Sequence, residues 1–186
     1  MQVFFSQHSS RLLSATFTFI ALACVALAAG ADPLSAKESD IFQLPSAREW
    51  EIHALPPLGR APRDLKRWEM LPRGSARKHR IDIEIDRTEP LERFPVRAAR
   101  GEAHRLAQKL GYQNYSQREL LLKGAPGFYE SWTAQPPSQA KFQVFAAHAF
   151  YRGAHIRIAA IAKSEESANA AERDLHQLLS RWAWKN

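Results

Sequence analysis

A long apolar stretch near the end of the chain restricts the fold more than any other feature of the sequence. Residues 142–162 are apolar at most positions, and the dipeptide Arg152-Gly153 divides them into two segments of similar length. Short segments that are apolar throughout are typical of strands buried on both faces, and a two-residue break that contains glycine is typical of a tight turn. The stretch therefore predicts a central hairpin in which residues 142–151 pair with residues 154–162.

The turn determines which side chains of the hairpin share a face of the sheet. A two-residue turn pairs Tyr151 with Ala154, and side chains alternate between the two faces along a strand. One face is then fully apolar, whereas the turn end of the other face carries four candidate binding residues: His148, Phe150, His155 and Arg157. Two imidazoles and a guanidinium beside an apolar surface suit the recognition of an anion. The alternative is an exposed end of the sheet, where the polar groups contact only water.

Four shorter segments predict further strands. In residues 80–87 three isoleucines alternate strictly with three acidic residues, which is the pattern of a half-buried strand. The other three segments are residues 50–53, 119–122 and 128–132. The proline-rich residues 55–77 predict loops, with one short element around residues 64–70.

Two amphipathic segments predict helices. The first begins near Pro95 and ends at Gly111, and the second runs from about Glu165 to Trp182 with Ser164 as its N-cap. Apolar residues recur in both at steps of three and four. They are Val96, Ala99, Ala103, Leu106 and Leu110 in the first helix, and Ala168, Ala171, Leu175, Leu178 and Trp182 in the second. We expect the second helix to dock on the apolar face of the hairpin.

The order of these elements predicts an α+β fold. An antiparallel sheet of about five to six strands would pack with the mid-chain helix and the C-terminal helix in one domain, residues 40–186. Residues 1–31 have the features of a secretory signal peptide: one basic residue, an apolar run and the small residues Ala29-Gly30-Ala31. Cleavage there would leave residues 32–39 as a linker and place the mature protein in the periplasm. The alternative is a retained N-terminal anchor in the inner membrane.

The charge of the chain indicates which classes of partner it could bind, and its cysteine content limits the chemistry that the mature protein could perform. The formal net charge is +7, and the basic excess lies between Arg60 and Lys109. A local basic surface attracts anionic partners, including membrane headgroups that the protein would contact peripherally. Nucleic acid is disfavoured because aromatic residues are sparse among these cations. The single cysteine, Cys24, lies in the predicted signal peptide, so the mature chain would contain no thiol.

No local motif predicts catalysis, a metal or a cofactor. The sequence lacks G-x-S-x-G, H-E-x-x-H and a glycine-rich phosphate loop. Asp82, Glu84 and Asp86 share one face of the strand at residues 80–87, but no surrounding loop supplies further calcium ligands. We therefore interpret these three residues as a solvated face of the strand, beside basic residues of a neighbouring strand.

The layout resembles the Mog1/PsbP-like α+β group, including its small exported bacterial members. The resemblance rests on four segments: Trp50-Glu51-Ile52, Gly127-Phe128-Tyr129, Phe150-Tyr151-Arg152-Gly153 and residues 175–182. It implies an accessory or binding module without a catalytic apparatus. The leading hypothesis is thus an exported, non-enzymatic module that binds a protein or an anionic envelope component. The alternatives are an immunity-type or inhibitor protein, and a hydrolase whose site only the fold assembles.

Overall fold

The computed structural model describes residues 39–45, 48–56, 65–73, 79–87, 95–135 and 140–185. Seven strands and two helices lie within these ranges. They are β1 (Trp50–Leu55), β2 (Leu65–Pro72), β3 (His79–Asp86), α1 (Pro95–Lys109), β4 (Gln113–Leu122), β5 (Ala125–Ala134), β6 (Phe142–Tyr151), β7 (Ala154–Ala162) and α2 (Glu165–Ser180). The predicted signal peptide and all but the last residue of the predicted linker lie outside the described residues.

The described strands form one antiparallel sheet in the order β1-β2-β3-β7-β6-β5-β4. The α+β class with an antiparallel sheet is confirmed, but the predicted count of five to six strands is too low. The additional strand is β2, which lies in the segment that its prolines led us to interpret mainly as loops. Pro72 is the last residue of β2 and pairs with Trp50 of β1, beyond the last pair that β2 forms with β3.

The central hairpin has the predicted pairing. Tyr151 lies opposite Ala154, Phe150 opposite His155, and His148 opposite Arg157. The two turn residues, Arg152 and Gly153, have φ values of 50° and 72°. Positive φ at both positions is the geometry of a type I′ turn, whose twist matches that of the flanking strands. Strand β7 is the middle strand of the described sheet and β6 is its neighbour.

Helix α2 covers one face of the sheet, as predicted. Ala168, Ala171, Leu175 and Leu178 are buried, and they share one apolar cluster with residues of β3, β6 and β7. Ser164 caps the helix: its hydroxyl accepts a hydrogen bond from the Ser167 backbone N–H at 3.3 Å. Neither helix in the described part of the chain is long and apolar enough to cross a membrane.

Helix α1 is less buried than its apolar stripe predicts. Only Ala107 of this helix is buried, and Leu110, just beyond the helix end, keeps 39% of its surface exposed. Three of the five stripe residues are valine or alanine, which offer little apolar surface for packing. Polar contacts supplement this packing, since Arg100 donates to Gln117 at 3.2 Å and to Glu119 at 3.1 Å, both on β4.

Candidate functional site

The four residues predicted to share a face do lie together, on the sheet face opposite α2. The register of β6 and β7 makes His148 and Phe150 neighbours of Arg157 and His155. His148 and Phe150 are buried, and His155 and Arg157 are partly buried. His148 therefore does not lie at an exposed end of the sheet, and its polar atoms must find partners inside the protein.

A chain of hydrogen bonds supplies these partners and crosses four strands. Nδ1 of His148 lies 2.9 Å from Nε2 of His155, and Nε2 of His148 lies 3.0 Å from Oε1 of Glu130. The Tyr115 hydroxyl donates to the other carboxylate oxygen of Glu130 at 3.0 Å. We call these four residues the histidine–glutamate network. Glu130 is only 5% exposed and His148 only 6%, so the network is a buried polar structure.

Aromatic rings hold the two imidazoles in place. Phe128 stacks on His148 with centroids 4.2 Å apart and ring planes 7° apart. Phe150 stacks on His155 at 4.7 Å and 5°, and the two imidazoles lie 5.1 Å apart at 21°. Stacked rings cannot tilt freely, so the nitrogen atoms of both histidines keep their directions.

Glu130 is the anionic member of the network. Burial alone would raise its pKa, but the hydrogen bond and charge of His148, the charge of Arg157 and the hydrogen bond from Tyr115 together lower the pKa below its usual value. Burial and the nearby Glu130 raise the pKa of Tyr115, which keeps its hydroxyl protonated. Glu130 is thus an ionised carboxylate that accepts hydrogen bonds from both sides.

His155 is the neutral member at the opposite end of the network. Burial, followed by the charges of His148 and Arg157, lowers the pKa of His155 well below its usual value. A neutral imidazole has one nitrogen that donates and one that accepts. Its Nε2 faces His148, whereas its Nδ1 has no hydrogen-bond partner among the described residues.

Arg157 lies beside the histidine–glutamate network on the same face of the sheet. No hydrogen bond or ion pair joins its guanidinium to any residue in the described ranges, although Glu84 lies opposite it on β3. The described buried side-chain nitrogen and oxygen atoms that make no hydrogen bond belong to Trp68, Arg80, Asp82, Trp132 and Trp182. Arg157 and His155 are not among them, and both residues are partly exposed. We call this pair of residues the anion site.

One of the three acidic residues of β3, Asp82, differs from its prediction. Asp82 is buried rather than solvated, and burial raises its pKa despite the adjacent Arg80, whose Nε lies 3.2 Å from the carboxylate. The prediction that basic residues of neighbouring strands lie beside these carboxylates is confirmed for Asp82. The charges of Arg67 on β2 and Arg157 on β7 both act to lower the pKa of Asp82. Among the described residues, no group of three His, Cys, Asp or Glu side chains could hold a metal ion.

Sequence reasoning missed Glu130 and Tyr115. Glu130 could have been found, because it is the one charged residue in the otherwise apolar and hydroxyl-bearing segment 128–133. An isolated carboxylate in a buried strand requires a partner. Tyr115 gave no comparable signal, since it lies in a polar segment at the irregular beginning of β4.

Comparisons with known proteins inform the fold. No protein-family model matches the chain, and no curated protein matches its sequence. Among solved structures, PA94 from Pseudomonas aeruginosa, a protein of unknown function with a suggested regulatory role, is similar with a TM-score of 0.51 and 14% identity. The match covers 74% of this chain and 99% of PA94.

A second similar structure is the cyanobacterial PsbP protein, CyanoP, from Synechocystis. Its TM-score is 0.47 at 8% identity, over 84% of this chain and 100% of that one. The structure comparison thus returns a PsbP protein, from the group that the sequence pattern resembles. At 14% identity, the likeness to PA94 concerns the fold alone.

The ionised state of Glu130 leads to a prediction for Glu130→Gln. The substitution weakens a charge-assisted hydrogen bond, which is worth about 1.5–3 kcal/mol, so we expect a loss of about 2 kcal/mol at pH 7. The lowered pKa of Glu130 stabilises the folded state above the unfolded value of 4.5, and this contribution disappears as the pH falls through the folded value. The gap between wild type and variant should therefore shrink below pH 4.5.

Urea denaturation at several pH values measures this gap. Glu119→Gln is the matched control, because the Glu119 side chain is 87% exposed and should alter stability little at any pH. The lowered pKa of His155 destabilises both proteins alike as the pH falls below 6.5. A gap that stays constant from pH 7 to pH 3 would show that Glu130 carries no charge in the folded protein.

Proposed function

We propose that the chain is an exported, non-enzymatic binding module that recognises an anionic group, carried by a protein or an envelope component, through the anion site. The observation that carries the proposal is the Arg157 guanidinium: partly buried, open to solvent, and without a hydrogen-bonded acceptor among the described residues. On the same face, by contrast, Nε of Arg80 lies 3.2 Å from a carboxylate oxygen of Asp82.

The chemistry of arginine supports an oxyanion as the ligand. A guanidinium presents a rigid fork of N–H donors that matches the oxygen atoms of a carboxylate or phosphate. Removing such a cation partly from water is costly unless an acceptor replaces the water. An anion that binds Arg157 from the solvent side would supply that acceptor while the aromatic rings of Phe128 and Phe150 support the adjacent imidazoles.

Export rests on the N-terminal residues. The signal-peptide pattern of residues 1–31 supports a periplasmic location, and the retained inner-membrane anchor is the alternative. In either case the domain would meet the anionic groups of the cell envelope. The formal net charge of +7 favours encounters with such partners at low ionic strength.

Isothermal titration with inorganic phosphate and with acetate tests the proposal on the protein purified after expression of the full chain. Wild type should bind at least one of the two anions, and Arg157→Ala should weaken that binding at least tenfold because the bidentate donor is lost. Arg152→Ala is the matched control: this exposed arginine lies in the turn of the same hairpin, and its guanidinium lies 5.5 Å from the centre of the Tyr151 ring. It should bind as wild type does.

Thermal unfolding without anion shows whether Arg157→Ala remains folded. Arg157→Lys provides a second variant that keeps the charge but loses the fork, and its affinity should lie between those of wild type and alanine. The proposal fails if wild type binds neither anion, or if folded Arg157→Ala binds as wild type does.

A further inference from the structure

A groove lies between the C-terminal half of α2 and the strand β4, on the sheet face that α2 covers. Its volume is about 540 Å³, within the roughly 300–1,000 Å³ of ordinary ligand sites. Six consecutive residues of β4 and its turn, residues 118–123, line one side, and Tyr129 of β5 lies next to them. The other side consists of three residues of α2: His176, Leu179 and Ser180. The anion site lies on the opposite face of the sheet, so the groove is a separate surface.

The outer edge of β4 carries backbone groups that no described strand pairs. β4 is the last strand of the described sheet on its side. Both residues of the turn 123–124 have positive φ, 48° and 88°, so a type I′ turn joins β4 to β5 and makes Leu122 and Ala125 a hydrogen-bonded pair. Hydrogen-bonded positions alternate along an antiparallel strand. The N–H and C=O groups of Glu119 and Leu121 therefore point away from β5, toward the outer edge.

This edge lacks the usual protection against a partner strand. Natural edge strands are often interrupted by a bulge or carry charges that prevent pairing. The irregular pairing of β4 is confined to residues 113–116, whereas residues 116–122 pair with β5 in one continuous register. Leu121 lies in the regular part, and 71% of its surface is exposed. The edge thus offers a partner both backbone hydrogen bonds and an apolar contact.

The charges on the β4 side of the groove favour an acidic ligand. The guanidinium of Arg118 lies 4.5 Å from the centre of the Tyr129 ring, and Lys123 adds a second cation at the turn. The acidic residues nearby have partners of their own. Glu119 accepts from an arginine of α1 at 3.1 Å, on the opposite face, and Glu172 of α2 accepts from the Tyr129 hydroxyl at 3.1 Å. The two cations are therefore available to carboxylates of a ligand.

We propose that the groove binds an extended acidic segment of a partner protein, which adds to β4 as an antiparallel strand. Backbone groups of the segment pair with the outward groups of Glu119 and Leu121, which is the recognition mode of strand addition. Side chains alternate along the segment, so one apolar side chain contacts Leu120 in the groove. Acidic side chains two positions before and after it face Arg118 and Lys123. This surface goes beyond the anion site and does not depend on it.

Fluorescence anisotropy with a labelled, end-capped peptide, Thr-Asp-Thr-Leu-Thr-Asp-Thr, tests the proposal on the protein purified after expression of the full chain. The leucine and both aspartates share one face of an extended strand. We expect saturable binding to wild type. Exchange of both aspartates for lysine should weaken the binding at least tenfold, because the charges of the peptide would then repel Arg118 and Lys123.

Methylation of the peptide's backbone nitrogen atoms tests the strand pairing itself. Directly opposite residues of an antiparallel pair share a face, so the two central threonines lie opposite Glu119 and Leu121 and direct their N–H groups toward β4. The N–H group of the leucine points away. Methylating the two threonine nitrogens should weaken binding at least tenfold, whereas methylating the leucine nitrogen should change it less than threefold.

Substitutions in β4 test the same contact from the side of the protein. Leu121→Pro removes an outward N–H group, a change that edge strands tolerate, and should weaken peptide binding at least tenfold. Leu121→Ile is its control, because isoleucine keeps both the N–H group and an apolar side chain. Arg118→Glu is a second variant in case the proline variant does not fold, and it should bind the lysine peptide better than the aspartate peptide. Arg105→Glu, on α1 with a side chain 73% exposed, is the matched control.

Sedimentation velocity distinguishes a peptide partner from a second copy of the chain. A monomeric wild type that binds the aspartate peptide supports the proposal, whereas a dimer that Leu121→Pro dissociates assigns the edge to a second copy and overturns it. No saturable binding of the aspartate peptide, or equal effects of the two methylation patterns, also overturns it. Anion binding through Arg157 is measured separately on the other face, so failure of either proposal leaves the other intact.

Discussion

Replacing Gly127 with alanine is expected to destabilise the protein strongly, because the added methyl group has no space. Gly127 lies on β5 opposite Ala149 of the central strand β6. A Cβ atom at this position would overlap the carbonyl oxygen of His148 and lie 2.9 Å from the carbonyl carbon of the same residue. These are backbone atoms, so relief requires β5 and β6 to separate. Ordinary overpacking costs about 1–3 kcal/mol, and we expect at least the upper value.

Gly101→Ala is the matched control for this substitution. Nothing lies within 4 Å of a Cβ atom built on Gly101, which is exposed in α1. Alanine is favoured over glycine in helices by about 1 kcal/mol, so the control should be neutral or slightly stabilising. Urea denaturation compares the three proteins. A loss below 1 kcal/mol in Gly127→Ala would mean that the two strands can separate locally at little cost.

The same close approach connects the fold to the anion site. His148 supplies both the carbonyl group that abuts Gly127 and the imidazole that joins Glu130 to His155. Any shift of β6 that accommodates an alanine would lengthen one of these 3 Å contacts. Gly127→Ala should therefore impair anion binding even in the fraction of molecules that remains folded.

Local patterns account for the features that the sequence predicted correctly. The shared face of His148, Phe150, His155 and Arg157 follows from one turn and the alternation of side chains, and both depend on neighbouring residues only. The packing face of α2 likewise follows from its helical period. Strand β2 was missed because proline signals outweighed the alternation in which Trp68 and Met70 are buried between more exposed residues.

The partner of His148 could not be predicted because it depends on the register between β5 and β6. Those strands are joined by residues 135–141, and a shift of one residue moves every side chain of a strand to the other face. Glu130 lies opposite Ala146 and reaches His148 diagonally, so no local spacing indicates the contact. The burial of the site depends on the same pairing of β5 with β6, so it could not be predicted from the sequence either.

Trp182→Ala is expected to cost about 3–5 kcal/mol, the usual loss when a buried large aromatic is truncated. Trp182 follows the end of α2, is only 4% exposed, and stacks on Phe42 with centroids 4.4 Å apart. Phe42 in turn contacts Trp68 edge to face at 5.7 Å. The loss should therefore lie toward the upper end of this range, because Phe42 also loses the ring on which it stacks.

The backbone around Trp182 explains why the effect reaches the beginning of the domain. The backbone N–H of Gln43 donates to the Ala183 carbonyl at 3.1 Å, and the backbone N–H of Lys185 donates to the Ile41 carbonyl at 2.7 Å. These two hydrogen bonds join residues 41–43 to residues 183–185. Limited proteolysis should therefore cleave Trp182→Ala near residues 39–45 under conditions in which wild type resists. Thermal and urea unfolding measure the accompanying loss of stability.

Trp182→Phe separates packing from hydrogen bonding at this position. The indole N–H of Trp182 is buried and has no acceptor among the described residues, so phenylalanine forfeits no hydrogen bond there and still stacks on Phe42. Its cost should be less than half that of alanine, with the N-terminal segment still protected from protease. If alanine and phenylalanine destabilise equally, the stacking on Phe42 does not hold the two ends of the domain together. If neither lowers the melting temperature, the turn after α2 contributes nothing to the core.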